Sequence, residues 1–240
     1  MMSLRNKIIW ITLFSIGMAF LESSVVVYLR ELLYPEGFEF PLKPMIGHIS
    51  LTEIFREAAT MLMLVGIAVL VGRSVSEKFA WFIYCFAVWD IFYYVFLKAL
   101  LNWPESLMTW DILFLIPVIW TGPVITPVLV SFTMIMFAGF IIYFSNKISK
   151  VRIKPVEWVI LIAGSLIMIT AFCWDYSRFI LRHFSFPELF SVSVEKDLYE
   201  VSLQYVPESF NWWLFTVAEV IILAGIGLFF RRNNKILKKG

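Results

Sequence analysis

Residues 51–72 read LTEIFREAATMLMLVGIAVLVG. Glu53, Arg56 and Glu57 stand at the head of the run, and the fifteen residues from Ala58 to Gly72 carry no charge. As a helix, that uncharged part measures about 22 Å at a rise of about 1.5 Å per residue. A hydrocarbon core is about 30 Å thick. A crossing built on this stretch must therefore hold two acids and an arginine within the membrane. A lone charge at the centre of a spanning helix costs roughly 2.5 to 3.5 kcal/mol on insertion scales. Such side chains must meet each other, protein dipoles or water.

The surrounding chain makes the crossing the reading to adopt. It is 60% hydrophobic and 16% charged, with 24 Phe among 240 residues, which is not the composition of a soluble domain. Six apolar runs follow one another at about 8–33, 51–72, 79–101, 110–144, 156–182 and 211–230. The sequence thus predicts an all-α integral membrane protein, a single polytopic domain over residues 1–240 built as a bundle of six transmembrane helices. The first run follows Arg5 and Lys7 as a secretory signal would. It continues past Glu22 to Tyr34 without a convincing small-x-small cleavage site, and so reads as an uncleaved span.

Charge between the runs gives an orientation. Arg5 and Lys7, the turn with Arg73 and Lys78, the turn with Lys147, Lys150, Arg152 and Lys154, and the tail from Arg231 to Lys239 hold thirteen of the 20 basic residues. Of the 18 acids, only Glu77 and Glu157 lie there. By the positive-inside rule both termini are expected in the cytoplasm of a multi-pass inner-membrane protein, with loops 34–50, 102–109 and 183–210 outside. The first of these loops is rich in Pro and Gly, which favour turns. The last is acidic, and its EKDLYEVSL segment fits a short amphipathic helix.

The fourth run is too long for one crossing, about 52 Å as a straight helix. Pro117, Pro123 and Pro127 interrupt it, with Gly122 beside the second. Each proline removes an intrahelical hydrogen bond, and non-helical backbone at membrane depth needs protein or water to satisfy it. The fourth helix is therefore expected to be broken or kinked by Pro117, Pro123 and Pro127, unless residues 110–120 lie along or dip into the outer face.

Charged and polar residues recur inside the other spans: Glu22 and Arg30 in the first, Asp90 and Tyr94 in the third, Asp175 and Arg178 in the fifth, Glu219 in the sixth. With Glu53, Arg56 and Glu57 they fall between the midplane and the expected outer boundary. The whole set is expected to line an outward-facing carboxylate and arginine cavity that binds or relays a small solute, cation or proton. The competing reading is structural, in which carboxylates and arginines lock the bundle and a broken pair leaves a costly buried charge. Trp89–Asp90, Trp110–Asp111 and Trp174–Asp175 repeat a dipeptide at no constant period, as interfacial Trp beside an acid does without any internal repeat.

Several chemistries have no motif. His48 and His183 are the two histidines and form no HExxH or comparable metal pair; a carboxylate site for a hard cation from Glu53, Glu57 and another acid, with His48 nearby, is less excluded than a haem held by the two histidines. Cys85 and Cys173 lie within spans without CxxC spacing. Neither a GxSxG nucleophile turn, nor a P-loop, nor a dinucleotide fingerprint is present, so no cofactor is evident and no metal centre is expected. Gly164 and Ser165 suit close helix packing. The basic tail lies beside a span, where topology and anionic headgroups explain it, and no nucleic-acid partner is expected.

Three functions remain from the sequence. One is binding or movement of a small solute, cation or proton. Another is an enzyme acting on a lipid-like substrate, with Glu53 and Glu57 as acid and base and Arg56 or Arg178 holding a phosphate. The third is an accessory role, the aromatic faces packing against partner membrane subunits. Membrane lipids are partners in every case.

Overall fold

The computed structural model describes residues 3–45, 47–116, 118–190 and 195–239. Among these, six helices are long and apolar enough to cross a membrane: α1 (Leu4–Leu33), α2 (Gly47–Val71), α3 (Val75–Leu101), α4 (Ile125–Ser145), α5 (Pro155–His183) and α7 (Trp212–Leu237). The chain is an all-α six-helix membrane bundle. A short helix, α6 (Glu195–Ser202), forms within the acidic loop, and strands β1 (Trp110–Phe114) and β2 (Trp120–Pro123) join α3 to α4.

Local sequence sets the helix ends. The Ser3 hydroxyl accepts from the Asn6 N–H, Ser74 from Glu77 and Asn211 from Leu214, each relieving one unpaired amide of a first turn. Pro155 opens α5, where a missing N–H costs nothing, and the Glu157 carboxylate turns back to the Lys154 N–H at 2.8 Å. Asn102 ends α3 in the left-handed region at φ 52°, a conformation asparagine tolerates.

The helices form a row rather than a closed ring. α1 and α2 each pack on α3, α3 packs on α4, α4 meets α7, and α7 packs along α5. Glycine sets the last contact: a Cβ at Gly164 would stand 2.6 Å from Ile222 Cγ1, and one at Gly225 would stand 3.1 Å from Ile160 Cγ2. Each helix thus offers a notch to the other, as the small residues of the fifth span suggested. One end of the bundle, with both terminal helix ends and the 72–74 and 146–154 turns, is stitched by polar contacts. There Arg232 grips both oxygens of Glu157 at 2.8 Å, Arg73 pairs with Glu77 at 3.1 Å, and the Ser76 hydroxyl accepts from the Ile153 N–H. Ile11, Met18, Leu64, Ala68, Trp81, Phe137, Ile141 and Phe229 belong to one buried apolar cluster.

The fourth run departs from the expected broken helix. Residues 110–114 and 120–123 pair as antiparallel strands, with Asp111 opposite Gly122 and Ile112 opposite Thr121, and a register irregularity between Ile112 and Phe114. Aromatic and β-branched residues favour extended pairing over helix there. A hairpin also satisfies most of its own amides, which is what backbone at membrane depth requires. Pro123 closes β2, and Pro127 falls in the first turn of α4, where no intrahelical partner is lost. Pro117 lies outside the described residues. Gly122 lets the hairpin seat closely, since a Cβ there would meet Phe210 and Thr126 at 3.1 Å.

Candidate functional site

α1 and α2 both rest on α3 and hardly touch each other, so a cleft opens between them. At the loop end the hairpin, the 34–45 segment and α6 surround this cleft and make it a cavity of about 360 Å³. That volume lies at the lower end of the roughly 300–1,000 Å³ range of small-molecule sites. Glu22 is eleven residues before the loop end of α1, Glu57 ten residues into α2, and Asp90 eleven residues before the end of α3. At about 1.5 Å per residue the three carboxylates lie at a common depth of about 15 Å.

Seven residues singled out from the sequence line this cavity: Glu22, Arg30, Glu53, Arg56, Glu57, Asp90 and Tyr94. Helical spacing explains the α2 group. Glu53 and Glu57, four apart, share a face, and Arg56 reaches across the cleft. Its guanidinium donates to Glu53 at 2.8 Å and pairs with Glu22 on α1. This bridge joins the two helices that otherwise scarcely meet. Arg30 is also engaged: it lies 3.6 Å from Asp111, and its guanidinium carbon sits 3.7 Å from the Trp103 ring centroid and 4.5 Å from that of Phe38. Stacking between aromatic faces is a use for which the planar guanidinium is suited.

The hairpin completes the wall. Both oxygens of Glu57 accept the Leu115 N–H at 3.1 Å, just beyond the paired part of β1. The Tyr94 hydroxyl donates to Asp111 at 3.2 Å. Among the described residues Asp90 receives one hydrogen bond, from the Ser131 hydroxyl of α4 at 2.7 Å. Among the described residues, no basic side chain comes within ion-pair distance of Glu57 or Asp90. Asp111, Trp89 and Tyr93 also line the cavity and were not singled out as site residues. The sequence showed Asp111 only as one of three Trp-Asp pairs, because its nearness to Arg30 and Tyr94 depends on the hairpin.

Asp175, Arg178 and Glu219 lie outside this cavity, which corrects the expectation that all ten residues share it. The reason is the row arrangement, in which α5 packs on α7 and β2 rather than on α1 or α2. Asp175 instead anchors the approach to α7, accepting from the Glu208 and Ser209 N–H groups at 3.0 and 3.2 Å. It also accepts from the Tyr205 hydroxyl at 2.9 Å, and since that hydroxyl has one proton, the Tyr205 oxygen receives the Thr121 hydroxyl of β2. Burial pushes the Tyr205 hydroxyl well above its ordinary range, keeping it a donor. Arg178 is exposed. Glu219 pairs with Thr133 across the α4–α7 contact. Near the mouth of the bundle, Arg182 forms two hydrogen bonds that hold Glu208 below the usual carboxylate range.

The cavity has five carboxylates, Glu22, Glu53, Glu57, Asp90 and Asp111, against Arg30, Arg56 and a Lys43 at its rim. Among the described residues, no three His, Cys, Asp or Glu side chains come together as a metal site. The available chemistry is that of carboxylates and aromatic rings in a partly enclosed space: holding a cation, exchanging a proton, and excluding anions. No protein family, curated protein or solved structure matches the chain.

Proposed function

We propose that this is an inner-membrane protein with both termini cytoplasmic, whose cavity faces outward and binds a small solute or cation at mid-membrane depth. The observation that carries the reading is the meeting of seven polar residues from three helices in one cavity of about 360 Å³. Apolar packing fills the opposite half, with Ile11, Leu64, Ala68 and Trp81 all buried. The site is therefore accessible from one side, and movement of a ligand across the membrane requires a second arrangement in which these apolar halves part. The thin contact between α1 and α2 supports access from the lipid side as well as from the loop end.

The test is cysteine accessibility in intact cells. In a chain with Cys173→Ser, Thr60→Cys places a thiol in the cavity wall and Ser106→Cys places one on the exposed 102–109 loop. Both are expected to react with a small, membrane-impermeant cationic thiol reagent added outside. Reaction at position 106 with none at 60 refutes an open cavity, and reaction at neither from outside but at both in inverted vesicles reverses the topology.

A further inference from the structure

The charge of the cavity is unevenly compensated, and the imbalance names a ligand class. Both arginines are already committed: Arg56 bridges Glu22 and Glu53, and Arg30 lies between two aromatic rings beside Asp111. A phosphate or carboxylate ligand entering here finds both guanidiniums already set against acids and meets five carboxylates, against one further cation, Lys43, at the rim. Among those acids, Glu57 is satisfied by a backbone amide on both oxygens. Asp90 is the least compensated, with a single hydroxyl partner and no basic neighbour among the described residues.

The wall beside Asp90 is aromatic. Trp89, Tyr93 and Tyr94 come from the same helix, and Phe114 from β1. Aromatic faces around a carboxylate attract organic cations through the ring quadrupole as well as through charge. A second observation concerns Trp89. Trp89 lines the cavity, is 7% exposed as a residue, and its buried indole Nε1 has no hydrogen-bond partner among the described residues. A buried donor left unmade is unfavourable, and a ligand oxygen that reaches it relieves the cost.

We infer that the cavity takes an organic monocation with an apolar body and a hydrogen-bond-accepting oxygen, its charged group against Asp90 and its oxygen near Trp89. This rests on the cavity being a binding site, and it replaces a phosphate-bearing lipid with a cationic amphiphile as the ligand class.

The experiment is equilibrium binding of radiolabelled (2-phenoxyethyl)trimethylammonium to the purified full chain. Three unlabelled competitors differ by one feature each. The uncharged 3,3-dimethylbutyl phenyl ether removes the charge, (3-phenylpropyl)trimethylammonium replaces the oxygen by a methylene, and 2-phenoxyethanesulfonate reverses the charge. Saturable binding at one site per chain is expected. The uncharged ether should compete at least about tenfold more weakly than the cation itself, and the sulfonate not at all. Asp90→Asn should weaken the cation about tenfold, and Trp89→Phe should abolish the preference for the oxygen-bearing cation over its methylene counterpart. Because the competitor series uses the native chain, it decides the ligand class even if a variant does not fold. Equal competition by ether and cation, tighter binding of the sulfonate, or unchanged affinity in folded Asp90→Asn overturns the inference while leaving the cavity a site. Absence of binding by all four, with the Thr60→Cys thiol unprotected by any of them, overturns the binding-site reading itself.

Discussion

Arg56 is the residue whose loss should tell most about how this bundle tolerates charge. Arg56→Met keeps the length and apolar stem of the side chain and deletes the cation between Glu22 and Glu53. The side chains of Arg56, Glu22 and Glu53 are 20%, 13% and 8% exposed, so the pair of acids left behind is largely desolvated. Removing one partner of a buried pair costs about 3–5 kcal/mol, and the open side of the cavity puts this case near the lower figure. A loss of about 3 kcal/mol corresponds to a fall in Tm of about 6–12 °C for a chain of this size. The assay is thermal unfolding of the purified protein in one detergent at fixed pH and salt. The triple variant Glu22→Gln, Glu53→Gln, Arg56→Met removes the stranded charge and should recover most of the loss. A single variant within about 2 °C of the native chain, or a triple variant no more stable than the single, refutes the bridge as the tie between α1 and α2.

The other expectations separate positioning from packing. Glu57→Ala should leave the Leu115 N–H without an acceptor, so hydrogen exchange across 112–116 should rise, whereas Glu57→Gln retains an oxygen and should protect it nearly as well. Asp175→Ala deletes the acceptor of Tyr205, Glu208 and Ser209, and limited proteolysis between 203 and 210 should become at least several-fold faster with little change around α2. Gly164→Leu forces α5 from α7 against Ile222 and should destabilise by about 1–3 kcal/mol, partly restored by Ile222→Ala; a neutral effect would show that the notch is not needed.

Some of this protein was settled by local composition. Apolar length gave six crossings because a spanning helix must cover about 30 Å of hydrocarbon whatever its neighbours are. The placement of Glu53, Arg56 and Glu57 required buried partners, since a short apolar tail cannot lift their positions out of the membrane. Helical spacing placed both α2 acids on one face, and small residues marked the α5–α7 contact. These features depend on periods of a few residues or on solvent alone, and both can be read along the chain.

Tertiary structure decided which charges meet. Residues 110–123 could pair as strands or continue as a broken helix from local propensity, and only the neighbouring helices supply the acceptor for an amide that the strand pairing leaves over, as Leu115 on Glu57 shows. Asp111 joins Arg30 because that hairpin folds over α1 and α3, a contact spanning 81 positions of sequence that no period encodes. Asp175 and Glu219 had the same sequence credentials as Asp90: an acid inside an apolar run. Their separation from the cavity follows from helix order, in which α5 lies against α7 at the far end of the row from α1 and α2. The sequence by itself determined that charge must be buried at mid-depth in a six-span bundle, because desolvation is a property of each residue. The structure decided which of those charges share a space, because helix order is a property of the packing between segments far apart in the chain.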